Sequence, residues 1–124
     1  VLPQSVRKTK EVMADHKASI TRAIVAGVRI AMGTDSGVGP HGHNAEELER
    51  MVECGMTPMQ AIVATTKTAS ECIYTQTDAG TLEPGKLADL LILDGDPLVD
   101  ITVLQDKARL ALIMQGGRVH KNAL

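Results

Sequence analysis

The sequence predicts an α/β fold over residues 1–76, followed by a β-rich segment over residues 77–124. Three observations lead to this prediction. Helix-like spacing of apolar residues over 4–26 passes directly into a short β-branched run at 28–32, which is the order of elements in an αβ unit. Two further stretches carry helix start signals of their own. Beyond them the chain consists of short apolar runs separated by Gly, Pro and Asp, which is typical of antiparallel strands and turns.

The first predicted helix covers residues 4–26, and a buried strand is expected directly after it. Gly27 stands where a helix C-cap belongs, and the run at 28–32 is apolar and β-branched, as in a strand buried on both faces. His16 falls on the apolar face of the helix, where a hydrogen-bonded structural role is expected of a lone histidine. The face is defined by residues at three- and four-residue steps: Met13, His16, Ile20, Ala23 and Ile24.

The next two helices are predicted from capping boxes, in which a side-chain oxygen accepts from the third helical N–H and a Glu or Gln there reaches back. Asn44 with Glu47 fits this pattern and opens a helix that Gly55 closes. Thr57 with Gln60 repeats the pattern for a helix that reaches about residue 65. A short fourth helix is expected over 67–74. The third helix is expected to turn three side chains inward: Met59, Ile62 and Val63.

The β-rich segment shows strand-like runs at 90–93 and 110–115. Gly116 and Gly117 then form a plausible tight hairpin turn, since such turns need residues that tolerate positive φ. A further strand over 118–121 would complete the hairpin. A domain boundary is therefore placed between residues 76 and 77.

Composition narrows the possible functions. The chain has 124 residues, 44% of them hydrophobic, and a formal net charge of -2, so there is no basic surface to indicate nucleic acid or an anionic membrane as partner. No apolar run approaches the roughly 18 residues of a membrane span. A cytoplasmic protein is expected. Tyr74 is the single aromatic residue, which suggests that the large core side chains belong to another part of a larger structure.

Asp35 is the first candidate functional residue. It follows the apolar run at 28–32 and is flanked by small residues, which is how a strand delivers one charged side chain to a cleft. An unpaired carboxylate there would lose hydration, so it should meet a cation, backbone N–H groups or a helix N-terminus. A metal ion is the partner that we favour.

The loop after Asp35 contains two motifs of lower specificity. Residues 37–42 match the letters G-x-G-x-x-G, but no second strand ending in an acidic residue follows about 20 residues later, so a dinucleotide site is rejected. His41 and His43 form an H-x-H pair, which cannot close a zinc site without further ligands. A histidine on this loop either contacts substrate or is solvated. We favour substrate contact and expect it from His41.

Four stretches together resemble a known family: AGVRIAMGTDSG at 26–37, PHG at 40–42, ECGMTPMQA at 53–61 and GTLEPGKLADL at 80–90. In this order and spacing they resemble the C-terminal part of the amidohydrolase superfamily. Within it, the chain is most similar to the imidazolonepropionase-like and Xaa-Pro or Xaa-Arg dipeptidase branch. The P-G-K-x-A-D-L element is the most specific of the four.

The resemblance implies the C-terminal portion of a (β/α)8 metal-dependent hydrolase barrel plus part of a small β-sandwich. Asp35 matches the aspartate that ends the eighth barrel strand, binds metal and takes a proton from the attacking water. His41 matches a loop position near substrate. The family's remaining metal ligands have no counterpart in this chain. A divalent metal, with zinc expected, would therefore bind only when those ligands are supplied.

The resulting hypothesis is the C-terminal fragment of an amidohydrolase that cleaves a C–N bond in a dipeptide or cyclic amide. Because a barrel needs roughly 250 residues, the chain is expected to be inactive without a missing N-terminal part. The alternative is a non-catalytic oligomerising or binding module left from a truncated amidohydrolase. Unpaired strand edges favour association in both cases, so a homo-oligomer or a complex with the missing part is expected.

Overall fold

The structure is a computed structural model that describes residues 3–37 and 41–124. Residues 38–40, which include part of the G-x-G-x-x-G stretch and Pro40 of the PHG motif, lie outside the described residues. Four helices come first: α1 (Pro3–Val25), α2 (Glu46–Glu53), α3 (Pro58–Thr65) and α4 (Lys67–Cys72). Three strands and two short 3-10 helices follow: β1 (Leu90–Leu93), Ile101–Gln105, Lys107–Arg109, β2 (Leu110–Gln115) and β3 (Arg118–Asn122). The α/β class predicted from the sequence is therefore confirmed.

Helix α1 ends as the sequence predicts. Gly27 adopts φ +73°, and its N–H donates to Ile24 O at 3.0 Å. The N–H of Val28 donates to Ala23 O, also at 3.0 Å. This pair of bonds is a Schellman motif, which satisfies carbonyl groups that the last helical turn leaves without partners. The prediction of a Gly27 C-cap is thus confirmed.

The prediction of a strand at 28–32 is wrong. The segment has no regular secondary structure, and Val28 is 57% exposed. A strand needs a neighbour to satisfy its backbone groups, and no segment within 3–37 and 41–124 pairs with this one as a ladder. One backbone bond ties its far end to α3, from Met32 N to Ala64 O at 3.1 Å. Ile30 and Met32 nevertheless pack against the core.

Helix α2 begins later than predicted and lacks the expected cap. Its N-cap residue is Ala45, which makes no side-chain capping bond. The Asn44 amide is instead engaged by hydroxyl groups of the segment that contains Asp35. The capping box predicted from Asn44 and Glu47 is therefore wrong, because a tertiary contact competes successfully for the same side chain.

Helix α3 has the predicted capping box. Thr57 Oγ1 accepts from Gln60 N at 3.2 Å, and Gln60 Oε1 accepts from Thr57 N at 2.8 Å. The buried face is narrower than expected and consists of Ala61 and Ala64, with Ile62 partly buried against the core. Met59 is 51% exposed and Val63 is 38% exposed, so their predicted inward orientation is wrong.

A small core joins the two parts of the chain that the sequence distinguishes. Its buried members are Leu48 and Met51 of α2, Ala61 and Ala64 of α3, and Ile101 of the first 3-10 helix. Asp100 caps that 3-10 helix by accepting from Thr102 N at 2.9 Å and Thr102 Oγ1 at 2.7 Å, and these bonds hold the pKa of Asp100 below its usual value. The contact places the tail against α2. The division into two domains at residue 76 stays a prediction.

The last part of the chain forms an antiparallel sheet in the order β1-β2-β3. Gly116 and Gly117 connect β2 to β3 with φ of +54° and +77°, the pattern of a type I′ turn. The three strands and this turn confirm the sequence-based prediction to within a residue. None of the helices in the described ranges combines the length and apolarity needed to cross a bilayer.

The capping box of α3 gives a prediction for stability. Thr57→Ala should lower the free energy of unfolding by about 0.5–2 kcal/mol, because the Gln60 N–H loses its acceptor. Thr57→Ser keeps the hydroxyl and should retain most of the stability. Chemical denaturation followed by circular dichroism measures both changes. Equal losses for the two variants would mean that the hydroxyl contributes nothing.

Candidate functional site

Asp35 lies on an exposed loop in an unusual backbone conformation. Its φ is +46°, in the left-handed region that few residues other than glycine adopt. Aspartate tolerates this region better than most residues, but the conformation still costs about 1–3 kcal/mol unless the surroundings enforce it. Strained backbone conformations are concentrated at functional sites, so the residues around Asp35 are candidates for a functional site.

The two neighbours of Asp35 are joined by a third polar side chain. Thr34 Oγ1 and Ser36 Oγ lie 2.8 Å apart, within hydrogen-bond distance. Asn44 Nδ2 donates to Ser36 Oγ at 2.8 Å and to Thr34 Oγ1 at 3.2 Å. We call these three residues the hydroxyl–amide cluster. The cluster closes a ring of contacts around the backbone of Asp35.

A polar cleft of about 260 Å³ opens beside this cluster. All three cluster residues line it, together with His43, Glu46, Glu47 and Arg50. Hydroxyl, amide, carboxylate and guanidinium groups thus face one space that suits a small polar molecule. The Arg50 guanidinium, which is charged at neutral pH, donates to Glu53 Oε1 at 2.9 Å, and this bond raises the pKa of Arg50.

The two loop histidines lie in different places relative to the cleft. His43 lines the cleft, and its Nδ1 lies 2.8 Å from Glu46 Oε1. A second cavity of about 70 Å³ is lined by His43 and by Lys107, among other residues. His41 lies on an exposed turn two residues earlier. The structure therefore brings His43 to the cleft, whereas the substrate contact predicted from the sequence is that of His41.

The hydroxyl–amide cluster was not predicted from the sequence. One signal was available: Thr34 and Ser36 are hydroxyl residues that directly flank Asp35 in the sequence. The third member, Asn44, was predicted to cap a helix, so its contacts with Thr34 and Ser36 were not expected. Only the fold shows that these three residues meet.

Comparison with known proteins settles the family. The amidohydrolase family model matches residues 2–120, nearly the whole chain. The chain belongs to the amidohydrolase family. The resemblance inferred from the four motifs is thereby confirmed, including its dipeptidase and imidazolonepropionase branch.

Named amidohydrolases share this segment at moderate identity. Ochratoxinase of Aspergillus niger is 37% identical over 123 residues, which cover 98% of this chain and 25% of the relative. Imidazolonepropionase of Geobacillus kaustophilus is 33% identical over 108 residues, which cover 85% of this chain and 26% of the relative. The chain thus spans about a quarter of the length of these curated relatives.

Solved structures agree with the sequence comparison. A Xaa-Pro dipeptidase crystallised with methionine in its active site superimposes with a TM-score of 0.79 and 36% identity, over 86% of this chain and 25% of the other. Crystalline A. niger ochratoxinase gives a TM-score of 0.83 and 36% identity, over 98% of this chain and 28% of the other. The fold described above is thus the fold of the matching segment in these amidohydrolases.

A metal centre requires more ligands than this segment brings together. Protein zinc sites use three or four His, Cys, Asp or Glu ligands. Within the described ranges, no three such residues are grouped in a way that could hold an ion. Asp35 can supply one oxygen ligand from an exposed loop. The residues described therefore do not fit a complete metal site by themselves.

Proposed function

We propose that this chain is the C-terminal piece of a metal-dependent amidohydrolase that cleaves the C–N bond of a dipeptide or cyclic amide. The observation that carries the proposal is the position of Asp35 in a chain of this family. It is held in a strained conformation, and both of its neighbours line the polar cleft. The names of the relatives, a Xaa-Pro dipeptidase and an imidazolonepropionase among them, support the substrate class.

Asp35 is proposed as the catalytic residue and as one metal ligand. Its exposed carboxylate can accept a proton from the attacking water. The same oxygen can then give that proton to the leaving nitrogen, which completes the hydrolysis without a second acid. The metal, with zinc the expected ion, would lower the pKa of a bound water and polarise the substrate carbonyl.

His41 is proposed to contact substrate from the turn that precedes α2. Its exposure leaves the imidazole accessible to a molecule that enters the cleft. His43, which lines the cleft directly and lies beside Glu46, is the nearer of the two to the cleft. Comparing the KM values of His41→Ala and His43→Ala would assign substrate contact to one of them.

The chain is proposed to work with a further part of the enzyme, in the same polypeptide or in a separate chain, that completes a (β/α)8 barrel and a small β-sandwich. We call this assembly the complete enzyme. Two features support the need for it. The segment at 28–32 joins no strand ladder within the described residues, and the apolar side chains of Val25, at the end of α1, and Val28 are exposed. A second copy of this chain is the other proposed partner.

The test is amide hydrolysis by the complete enzyme. Amine release should be measured from Xaa-Pro and other dipeptides, N-acyl amino acids and cyclic amides, before and after chelation. We expect turnover that a chelator abolishes and zinc restores, because the reaction depends on the metal. Absence of hydrolysis across the panel would refute the proposed activity. Stoichiometric zinc on this chain alone would refute the claim that its ligand set is incomplete.

A further inference from the structure

We propose that Asn44 is a positioning residue that holds the backbone of Asp35 in its reactive conformation. The proposal rests on the proposed function of Asp35 and goes beyond it, because Asn44 does not act on substrate. Its amide donates to the hydroxyl on each side of Asp35, at 2.8 Å to Ser36 Oγ and 3.2 Å to Thr34 Oγ1. One amide group thus bridges both neighbours of the catalytic carboxylate.

The strain at Asp35 explains why such a bridge is needed. A non-glycine residue at φ +46° costs about 1–3 kcal/mol, and the conformation persists only when the surroundings over-determine it. Upstream, the bond from Met32 N to Ala64 O fixes the chain to α3. Across residues 34–36, the described contacts that constrain the loop are those of the hydroxyl–amide cluster. These contacts select the strained conformation over relaxed ones.

Asn44 is well placed to transmit rigidity from the core. It lies two residues before α2, whose Leu48 and Met51 are buried in the core. Two backbone hydrogen bonds connect Asn44 and its neighbour His43 to the start of α2. Glu46 N donates to His43 O at 3.0 Å, and Glu47 N donates to Asn44 O at 3.2 Å. The amide is therefore anchored on a packed helix, while the residues that it holds lie on a loop.

If Asn44 only supported the fold, we would expect it to act as the N-cap of α2 and its loss to lower stability. The N-cap position is instead occupied by Ala45, and no side chain caps the helix. Asn44 itself is exposed. Its removal should therefore change stability little. A misplacement of about 1 Å at the reacting group, in contrast, can cost about 100-fold in rate.

The experiment compares three variants of the complete enzyme with matched controls. Asn44→Ala and Thr34→Val should lower kcat by about 10- to 100-fold, with KM changed less than about 3-fold, because the loop loses its bridge. Thr34→Ser keeps the hydroxyl and should lose less than Thr34→Val. Asn44→Ala combined with Thr34→Val should lose less than the product of the two single losses, because both changes remove the contact between Asn44 and Thr34. Asn122→Ala, the same change on the exposed strand β3, should stay within about twofold of wild type.

Two readouts do not depend on turnover. A crystal structure of Asn44→Ala should show Asp35 outside the left-handed region, and competition with a chromophoric chelator should show weaker zinc binding than in wild type. An active wild type with unchanged kcat in Asn44→Ala would overturn the proposal. An Asp35 that keeps its left-handed conformation in Asn44→Ala would also overturn the proposal. This structural readout tests the role of Asn44 even if the wild type hydrolyses nothing and the proposed function fails.

Discussion

Asp35→Asn in the complete enzyme will lower kcat/KM by about 10²- to 10⁴-fold, the range that general acid–base groups contribute. The amide cannot accept a proton from water at neutral pH, and it is a weaker metal ligand than a carboxylate. KM should change much less than kcat, because the proton is transferred only during the chemical step. Steady-state kinetics with a hydrolysable dipeptide, combined with metal analysis of each sample, measures the effect.

The choice of asparagine makes this result interpretable. Asparagine is enriched in the left-handed region together with aspartate, so the substitution should leave the +46° backbone intact. Thermal unfolding should therefore match wild type to within a few degrees. Asp15→Asn, the same change on the exposed surface of α1, controls for the loss of one negative charge. A variant with full turnover and bound metal would remove Asp35 from the reaction.

Predictions from the sequence were most accurate for features that depend on residues close together in the chain. The Gly27 cap, the Thr57 and Gln60 box and the turn at 116–117 are each decided by a few adjacent residues, and all three were predicted correctly. The predicted strand at 28–32 failed for the opposite reason. Its backbone needs a partner strand, and no described segment of this chain provides one.

The site shows the same contrast between local and long-range information. Asp35 could be singled out because an isolated carboxylate after an apolar run is a local signal. The role of Asn44 could not, since its contacts span eight and ten residues across the loop, and a cap was the nearest local explanation. The polar cleft likewise exists only because α2 and the segment around Asp35 meet.

Gly80→Ala will be among the most destabilising substitutions in this chain. Gly80 has φ +92° and packs against α4, where an added Cβ would clash with Ser70 Oγ and lie 2.7 Å from Ser70 Cβ and 3.1 Å from Thr66 O. Ser70 is buried, so α4 cannot move aside freely. Backbone strain costs about 1–3 kcal/mol and overpacking a further 1–3 kcal/mol or so. Chemical denaturation of the complete enzyme measures the sum.

Gly85→Ala separates the two contributions. Gly85 has nearly the same φ, +91°, but an added Cβ would meet nothing within 4 Å. Its substitution should therefore cost the strain alone, and the difference between the two variants gives the cost of the clash. Ser70→Gly removes both clashing side-chain atoms and leaves only the 3.1 Å contact with Thr66 O, so in that background the cost of Gly80→Ala should fall close to that of Gly85→Ala in wild type. Equal losses for Gly80→Ala and Gly85→Ala would show that Gly80 is required by its conformation alone, and that the contact with α4 carries no energy.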